Sequence, residues 1–308
     1  MKRLFFILQF FLFIAFNLVL LLTLYQLTGS SSSMERLSYD RPLYNHVEEF
    51  DPTLERLSSM EKLRAYCDSI YSENSFTTGN VSFENTYPAI ASSVVRKRFY
   101  HGYSLYGFQN NFLAMLLSQV SMEGLSAIVI PDDILQYPYA ACSQQSIVLM
   151  ELLREKGFTT RKVGFSGKKY GHFCFEAYYN GGWHFYDPDM EPNPAVLNAY
   201  NRPDIQFLAR HKDILLQAYA QFPAEKVLDI FPNYFYGSPN KFPAPAAMVF
   251  QKATKVLSYT IWIIFLGAFI LARRKYLGLG RRVAEGQKIY IPRIQEEIPA
   301  AYYPKYSA

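Results

Sequence analysis

Cysteine is scarce in this chain of 308 residues: Cys67, Cys142 and Cys174 are too few for a disulfide framework, and an odd number leaves one thiol over. Histidine is almost as sparse, at five, and His46, His101 and His211 show no zinc-type spacing, so no metal is assigned. Glycine and proline form no repeat, which excludes a fibrous chain, and no segment repeats another. A basic body is missing too. The net charge is +5, yet the segment after Ala272 carries eight Arg and Lys against three Glu, and Lys2 and Arg3 add two more. Residues 4–272 are therefore slightly acidic, at −2, which argues against a nucleic-acid partner. What the chain has in plenty is apolar surface: 50% hydrophobic residues, with 25 Tyr and 25 Phe. That excludes disorder, and the length suffices for one or two domains with a sizeable core.

Two segments are apolar enough for a bilayer. Leu4 to Leu27 is broken only by Gln9, Asn17, Thr23 and Gln26. At ~1.5 Å per residue, ~20 such residues cross a core of ~30 Å. A cleaved signal peptide is the rival, but its apolar region is usually ~7–15 residues with an A-x-A-like site after it. Here the run is longer and leads into Thr28-Gly29-Ser30-Ser31-Ser32-Ser33, a flexible linker, which favours an uncleaved anchor. The second segment, residues 256–272, is uncharged and ends in Arg273-Arg274-Lys275, although Lys252 and Lys255 flank its other side. The positive-inside rule then predicts residues 1–3 and the basic tail 273–308 in the cytoplasm and the stretch 28–250 outside it.

Within that stretch, the spacing of Leu54, Leu57, Met60, Leu63, Tyr66 and Cys67 predicts a helix over 52–72. Further helices are expected over 87–103 and 110–120, with a break near Gly107. Residues 126–130 read as a strand or a packed extended connection. Ser143 to Lys156 carries a helical stripe with Gly157 as its stop. A strand over 159–165 follows, then two aromatic-rich runs, 172–179 and 183–187, joined through Asn180-Gly181-Gly182 as a hairpin. Beyond Pro194 the chain reads as loop and helix up to a Pro-rich approach to the second membrane segment.

Cys142 stands at the start of the predicted helix, where unpaired N–H groups and the positive end of the dipole favour the nucleophilic thiolate. A thiolate works with a histidine, and the histidine with an acceptor that fixes its ring. His172 opens the first hairpin strand and Asp187 closes the second, so antiparallel pairing brings the two together. On that strand His172, Cys174, Glu176 and Tyr178 share a face.

The runs Ala141-Cys142-Ser143 entering a helix, Gly171-His172-Phe173-Cys174-Phe175-Glu176, and Gly182-Trp183-His184-Phe185-Tyr186-Asp187-Pro188 resemble the transglutaminase-like superfamily. The resemblance covers about residues 130–190. It departs from the family in having Ala141 where a Gly is frequent, and Cys174 where an aromatic is common. It implies an α+β papain/transglutaminase-like core, a Cys-bearing helix on a small antiparallel sheet, which the sequence reading places among flanking helices in a chain with two transmembrane helices. It also implies a Cys142–His172–Asp187 triad, acyl transfer through a thioester, a protein or peptide substrate outside the cytoplasm, and no cofactor.

For the oxyanion, the Cys142 N–H is one donor and Gln136, six residues earlier, is the side-chain candidate, with Gln144 and Gln145 as alternatives. Cys67 and Cys174 read as buried small hydrophobes. His184 reads as a packing residue, Glu176 as a structural partner, and Asp189 as the substitute for Asp187. A Cys142–Cys174 bridge is a second use for these thiols in an oxidising compartment. Asn80-Val81-Ser82 fits a glycosylation sequon. The rival to an enzyme is a non-catalytic assembly module that docks a membrane-complex partner through the 273–308 tail.

Overall fold

The computed structural model describes residues 2–28, 49–78, 82–120 and 125–289. The Ser-rich linker, His46, the Asn80 sequon and the end of the basic tail lie outside these residues. In chain order the elements are α1 (Lys2–Thr28), a 3-10 turn (Pro52–Arg56), α2 (Met60–Thr78), α3 (Phe83–Arg98), β1 (Tyr100–His101), α4 (Phe108–Val120) and α5 (Pro131–Ile134). There follow β2 (Tyr139–Ala140), α6 (Cys142–Glu155), β3 (Thr159–Ser166), β4 (Gly171–Tyr179) and β5 (Gly182–Tyr186). The chain continues through α7 (Pro194–Ala199), α8 (Ile205–Arg210), α9 (Lys212–Ala218), α10 (Ala224–Ile230), β6 (Tyr234–Tyr236) and α11 (Pro245–Ile289). The fold is thus mixed helix and sheet, with two helices long and apolar enough to cross a membrane, Arg3–Thr28 and Pro245–Arg281.

Among the described residues, one compact unit comprises 2–21 and 260–289. Inside it α1 and α11 meet through Phe6 and Tyr276, ring centroids 6.0 Å apart, and through Phe13 and Phe269 at 5.5 Å. Leu4, Phe10, Phe11, Leu18, Leu21, Ile264 and Leu271 are exposed, an apolar surface suited to lipid rather than water. The apolar stretch 256–272 is only part of its helix, which runs on over 45 residues. Past its Pro245 start the segment holds no proline, and the Arg- and Lys-rich sequence after Ala272 is good helix former, so nothing stops the helix there.

The second unit spans Leu22–Tyr259. Thr23 and Gln26, two of the polar breaks in the first apolar run, are buried in it, donating to the Ser258 carbonyl and Ser258 Oγ at 3.0 Å each. Gln251 bolts the start of α11 to the rest of the unit: it accepts from Val129 N–H and donates to the Leu125 and Ala127 carbonyls.

The sheet has strand order β5-β4-β3-β6, antiparallel throughout. Asn180 (φ 47°) and Gly181 (φ 78°) form the β4–β5 turn with positive φ at both central positions, as expected of an Asn-Gly hairpin. α6 ends at Gly157 (φ 89°), where Phe158 N–H returns to the Leu153 carbonyl and Gly157 N–H to that of Arg154. That reciprocal pair satisfies the last carbonyls of the helix and turns the chain into β3.

The two faces of the sheet bury different layers. Phe175, Ala177, Tyr179 and Tyr186 join a core with α2, α3 and α6, while Val163, Phe165, Cys174 and Phe185 join another with the short helices α7–α10. On the second face Glu176 is fully buried; Arg161 grips one of its oxygens (2.7 and 2.6 Å) and Ile205 N–H the other (2.8 Å). Burial raises the Glu176 carboxyl above its ordinary value, against the pull of these donors. It acts as the structural partner the sequence indicates. Glu176→Ala leaves an unpaired guanidinium and N–H, and a loss of about 3 kcal/mol is expected, read as a lower midpoint in chemical denaturation.

Three expectations need correction. The helix predicted over 52–72 is broken between Arg56 and Met60. Buried Arg98 takes the Glu55, Leu57, Leu135 and Tyr137 carbonyls, and Asp132 caps Met60 N–H, so these groups hold the chain out of one continuous helix. The helix expected over 87–103 ends at Arg98, because Tyr100 and His101 are drawn into parallel pairing with Tyr139 and Ala140. Residues 126–130, by contrast, take the extended connection, one of their two readings, with one isolated bridge between Leu105 and Ala127. The region read as loop and helix also holds β6, three residues too short to show a period.

Candidate active site

Cys142 is the first residue of α6, half-buried, and lines a cavity of about 760 Å³ together with His172, Gln145, His101 and Asp189. Two helix-start contacts fix its position. Gln144, buried, accepts from the Ala141 and Ser104 N–H groups and donates to the Ser104 and Ile128 carbonyls, which ties the helix start to two neighbouring loops. Gln145 donates to the Ala140 carbonyl at 2.9 Å and to Asp189 Oδ1 at 3.0 Å. The backbone N–H of Cys142 has no acceptor among the described residues, as first-turn N–H groups commonly lack one.

His172 opens β4, paired across from Phe165 in β3. Its ring stacks on Phe165 and meets the edge of Phe231, both at 6.0 Å, so the imidazole has little rotational freedom. Nε2 lies 2.9 Å from Asp187 Oδ2. A carboxylate only accepts, so Nε2 carries the proton in this bond and Nδ1 is the ring nitrogen left for the thiol. Cys142 Sγ, a His172 nitrogen and an Asp189 oxygen all lie within 4.8 Å of one another. Burial lowers the His172 pKa, but Asp187 and the neighbouring thiols of Cys174 and Cys142 outweigh it and lift the value well above that of free histidine.

Asp187 is fully buried at the end of β5 and receives four donors: His172 Nε2, the Tyr219 hydroxyl at 2.9 Å, and the N–H groups of Asp189 and Met190 at 3.2 and 3.1 Å. Burial alone would raise its pKa; these donors reverse that and hold it below the ordinary carboxylate value. Tyr219, at the end of α9, is pushed well up by burial and by Asp187 itself, so its phenol stays protonated and donating.

The sequence-predicted residues divide accordingly. Cys142, His172 and Asp187 converge. Gln136 does not: its amide donates to the Ser58 and Asp132 carbonyls, and it lines a separate cavity with Asp133 and Lys255. An amide six residues before the helix is held by the α2 junction instead of reaching the thiol. His184 packs on Tyr179 and bonds main-chain carbonyls, and His211 stacks on Phe207. Asp189 does not take the place of Asp187 on the His172 ring; it lies near the thiol, and its Oδ1 accepts from His101 Nδ1 at 2.7 Å. All three cysteines are free thiols.

Two partners escaped the sequence, and a third was given a different role. Tyr219 lies in a stretch with no recognisable pattern, and His101 gains its acceptor only through the parallel pairing of β1 with β2. Asp189 was visible only as a neighbour of Asp187. Comparison with family models, curated proteins and solved structures finds no match, so the chemistry assigned to this site stands on its own geometry.

Proposed function

We propose that this chain is a membrane-anchored cysteine enzyme of papain/transglutaminase-like type that transfers acyl groups, with amide or peptide hydrolysis as its outcome. The observation that carries the proposal is the order Cys142, His172, Asp187 in space, with the nucleophile at a helix start and its partners on two paired strands. In the reaction Cys142 Sγ attacks the carbonyl carbon as its proton passes to His172 Nδ1. The oxyanion lies against the Cys142 N–H at the positive end of α6. Collapse breaks the C–N bond, and His172 gives its proton to the departing amine. Water then attacks the thioester, losing a proton to His172, and the acid leaves as the thiol is restored. Asp187 keeps the imidazole in the required tautomer.

The cavity wall carries both signs of charge, with Arg96 paired to Glu49 and Glu191, and Lys226 nearby, which suits a polar peptide. Arg273, Arg274 and Lys275 beside one apolar helix, and Lys2 and Arg3 beside the other, support cytoplasmic termini and an extracytoplasmic site in a two-pass protein.

p-Nitrophenyl acetate tests the thioester directly. A burst of one nitrophenolate per chain is expected, with a hydroxylamine-labile acetyl group on Cys142 by mass spectrometry. Cys142→Ala abolishes the burst, and Gln136→Ala leaves it intact. An equal burst from Cys142→Ala would overturn the mechanism.

A further inference from the structure

We infer that Cys142, His172 and Asp189 form a zinc site at the base of the cavity, and that zinc held there silences the nucleophile. Metal binding follows from the donors alone; the silencing rests on the acyl-transfer proposal. The donor set is a thiolate, an imidazole and a carboxylate, the ligand types zinc prefers. Their atoms lie within 4.8 Å of one another. Bond lengths of ~2.0–2.3 Å around a tetrahedral ion place ligand atoms roughly 3.3–3.7 Å apart, so a closure of at most about 1.5 Å completes the site. Cys142 is half-buried at a helix start and can change rotamer. Thiolate and carboxylate together balance the charge of the ion.

The supporting contacts are those of a built site. A ligating histidine typically donates its other ring N–H to a carboxylate, and His172 Nε2 does so to Asp187. Asp189 is fixed by Gln145 and His101 through Oδ1 alone, which leaves Oδ2 without a protein donor among the described residues. Its side chain is only 7% exposed, so a carboxylate with one donor-free oxygen is held near the thiol and largely out of water. All three residues line the cavity, from which water can reach the ion as its fourth ligand.

An inner group, His172, Cys174 and Asp187, has similar spacing but fails as a site. It is buried throughout, and both Asp187 oxygens already have donors. Binding at the outer group expels one proton from the Cys142–His172 pair to solvent, whichever atom held it.

Cobalt(II) is the probe, added to the reduced, metal-free full chain in detergent. One equivalent is expected to produce a thiolate-to-cobalt absorption band, which zinc then bleaches by displacement. Zinc is also expected to protect Cys142 from iodoacetamide in the unaltered protein, a readout needing no variant. Cys142→Ala removes the band, Asp189→Asn weakens affinity by at least about 100-fold, and Cys174→Ala changes neither. No band, a band that survives Cys142→Ala, or unchanged affinity in a folded Asp189→Asn protein overturns the site. Acylation of Cys142 by p-nitrophenyl acetate without any cobalt band removes the metal and leaves the enzyme. A band without acylation does the reverse.

Discussion

Iodoacetamide near pH 6 is expected to label Cys142 at least about tenfold faster than Cys67 or Cys174, and His172→Ala is expected to erase most of that contrast. The thiolate is the reactive form, and an ordinary free thiol, with a pKa of ~8.5, holds well under about 1% of it at this pH. Cys142 alone among the three combines partial exposure, a helix N-terminus and an imidazole within reach. Cys67 is fully buried in the core around α2, and desolvation, with Asp68 nearby, pushes its thiol up to about 12. Cys174 is fully buried as well, and burial together with the Asp187 carboxylate lifts it well above the ordinary value. Both therefore remain protonated from pH 6 to 9, and raising the pH across that window should not bring them into competition. Site-resolved mass spectrometry of the reduced protein gives the three rates at once. Equal rates at all three cysteines would remove the poised nucleophile and with it the acyl-transfer proposal.

The hairpin and the Cys-bearing helix were legible in the sequence because each is specified locally. The Asn180-Gly181 pair can supply two positive φ angles, and Gly157 can close a helix, without help from distant residues. From those two elements the meeting of His172 and Asp187 followed by antiparallel pairing alone. What the sequence hid is set by contacts far apart in the chain. The break before Met60 depends on the Arg98 guanidinium, 41 residues beyond Leu57, and on Asp132, 72 residues beyond Met60. The fate of Gln136 depends on the Ser58 carbonyl 78 residues earlier. Polar Thr23 and Gln26 look like blemishes in an apolar helix until their partner Ser258 is brought beside them from 235 and 232 residues away. Such pairings leave no period behind, and short elements such as β6 leave none either.

Asp187→Asn is expected to cut acylation of Cys142 by about 10³- to 10⁴-fold while leaving the fold intact. Asp187 meets only donors: an imidazole N–H, a phenol and two backbone N–H groups. An asparagine offers one oxygen to this set and turns an NH2 group toward the rest, so at least one buried donor loses its acceptor. Unpaired donors of this kind cost about 1–3 kcal/mol each, which predicts a lower thermal midpoint. The catalytic loss has a separate origin. Without a carboxylate at Nε2 the imidazole no longer needs to carry its proton there, and the tautomer with Nδ1 free for the thiol loses its advantage. Tyr219→Phe separates the two effects. It removes one hydrogen bond to Asp187 and should cost about 1 kcal/mol, yet His172 keeps its acceptor and acylation falls by less than about tenfold. If Asp187→Asn acylates as fast as the unaltered protein while its midpoint drops, Asp187 is a structural anchor for the loop at Asp189 and Met190. The carboxylate would then have no part in the chemistry.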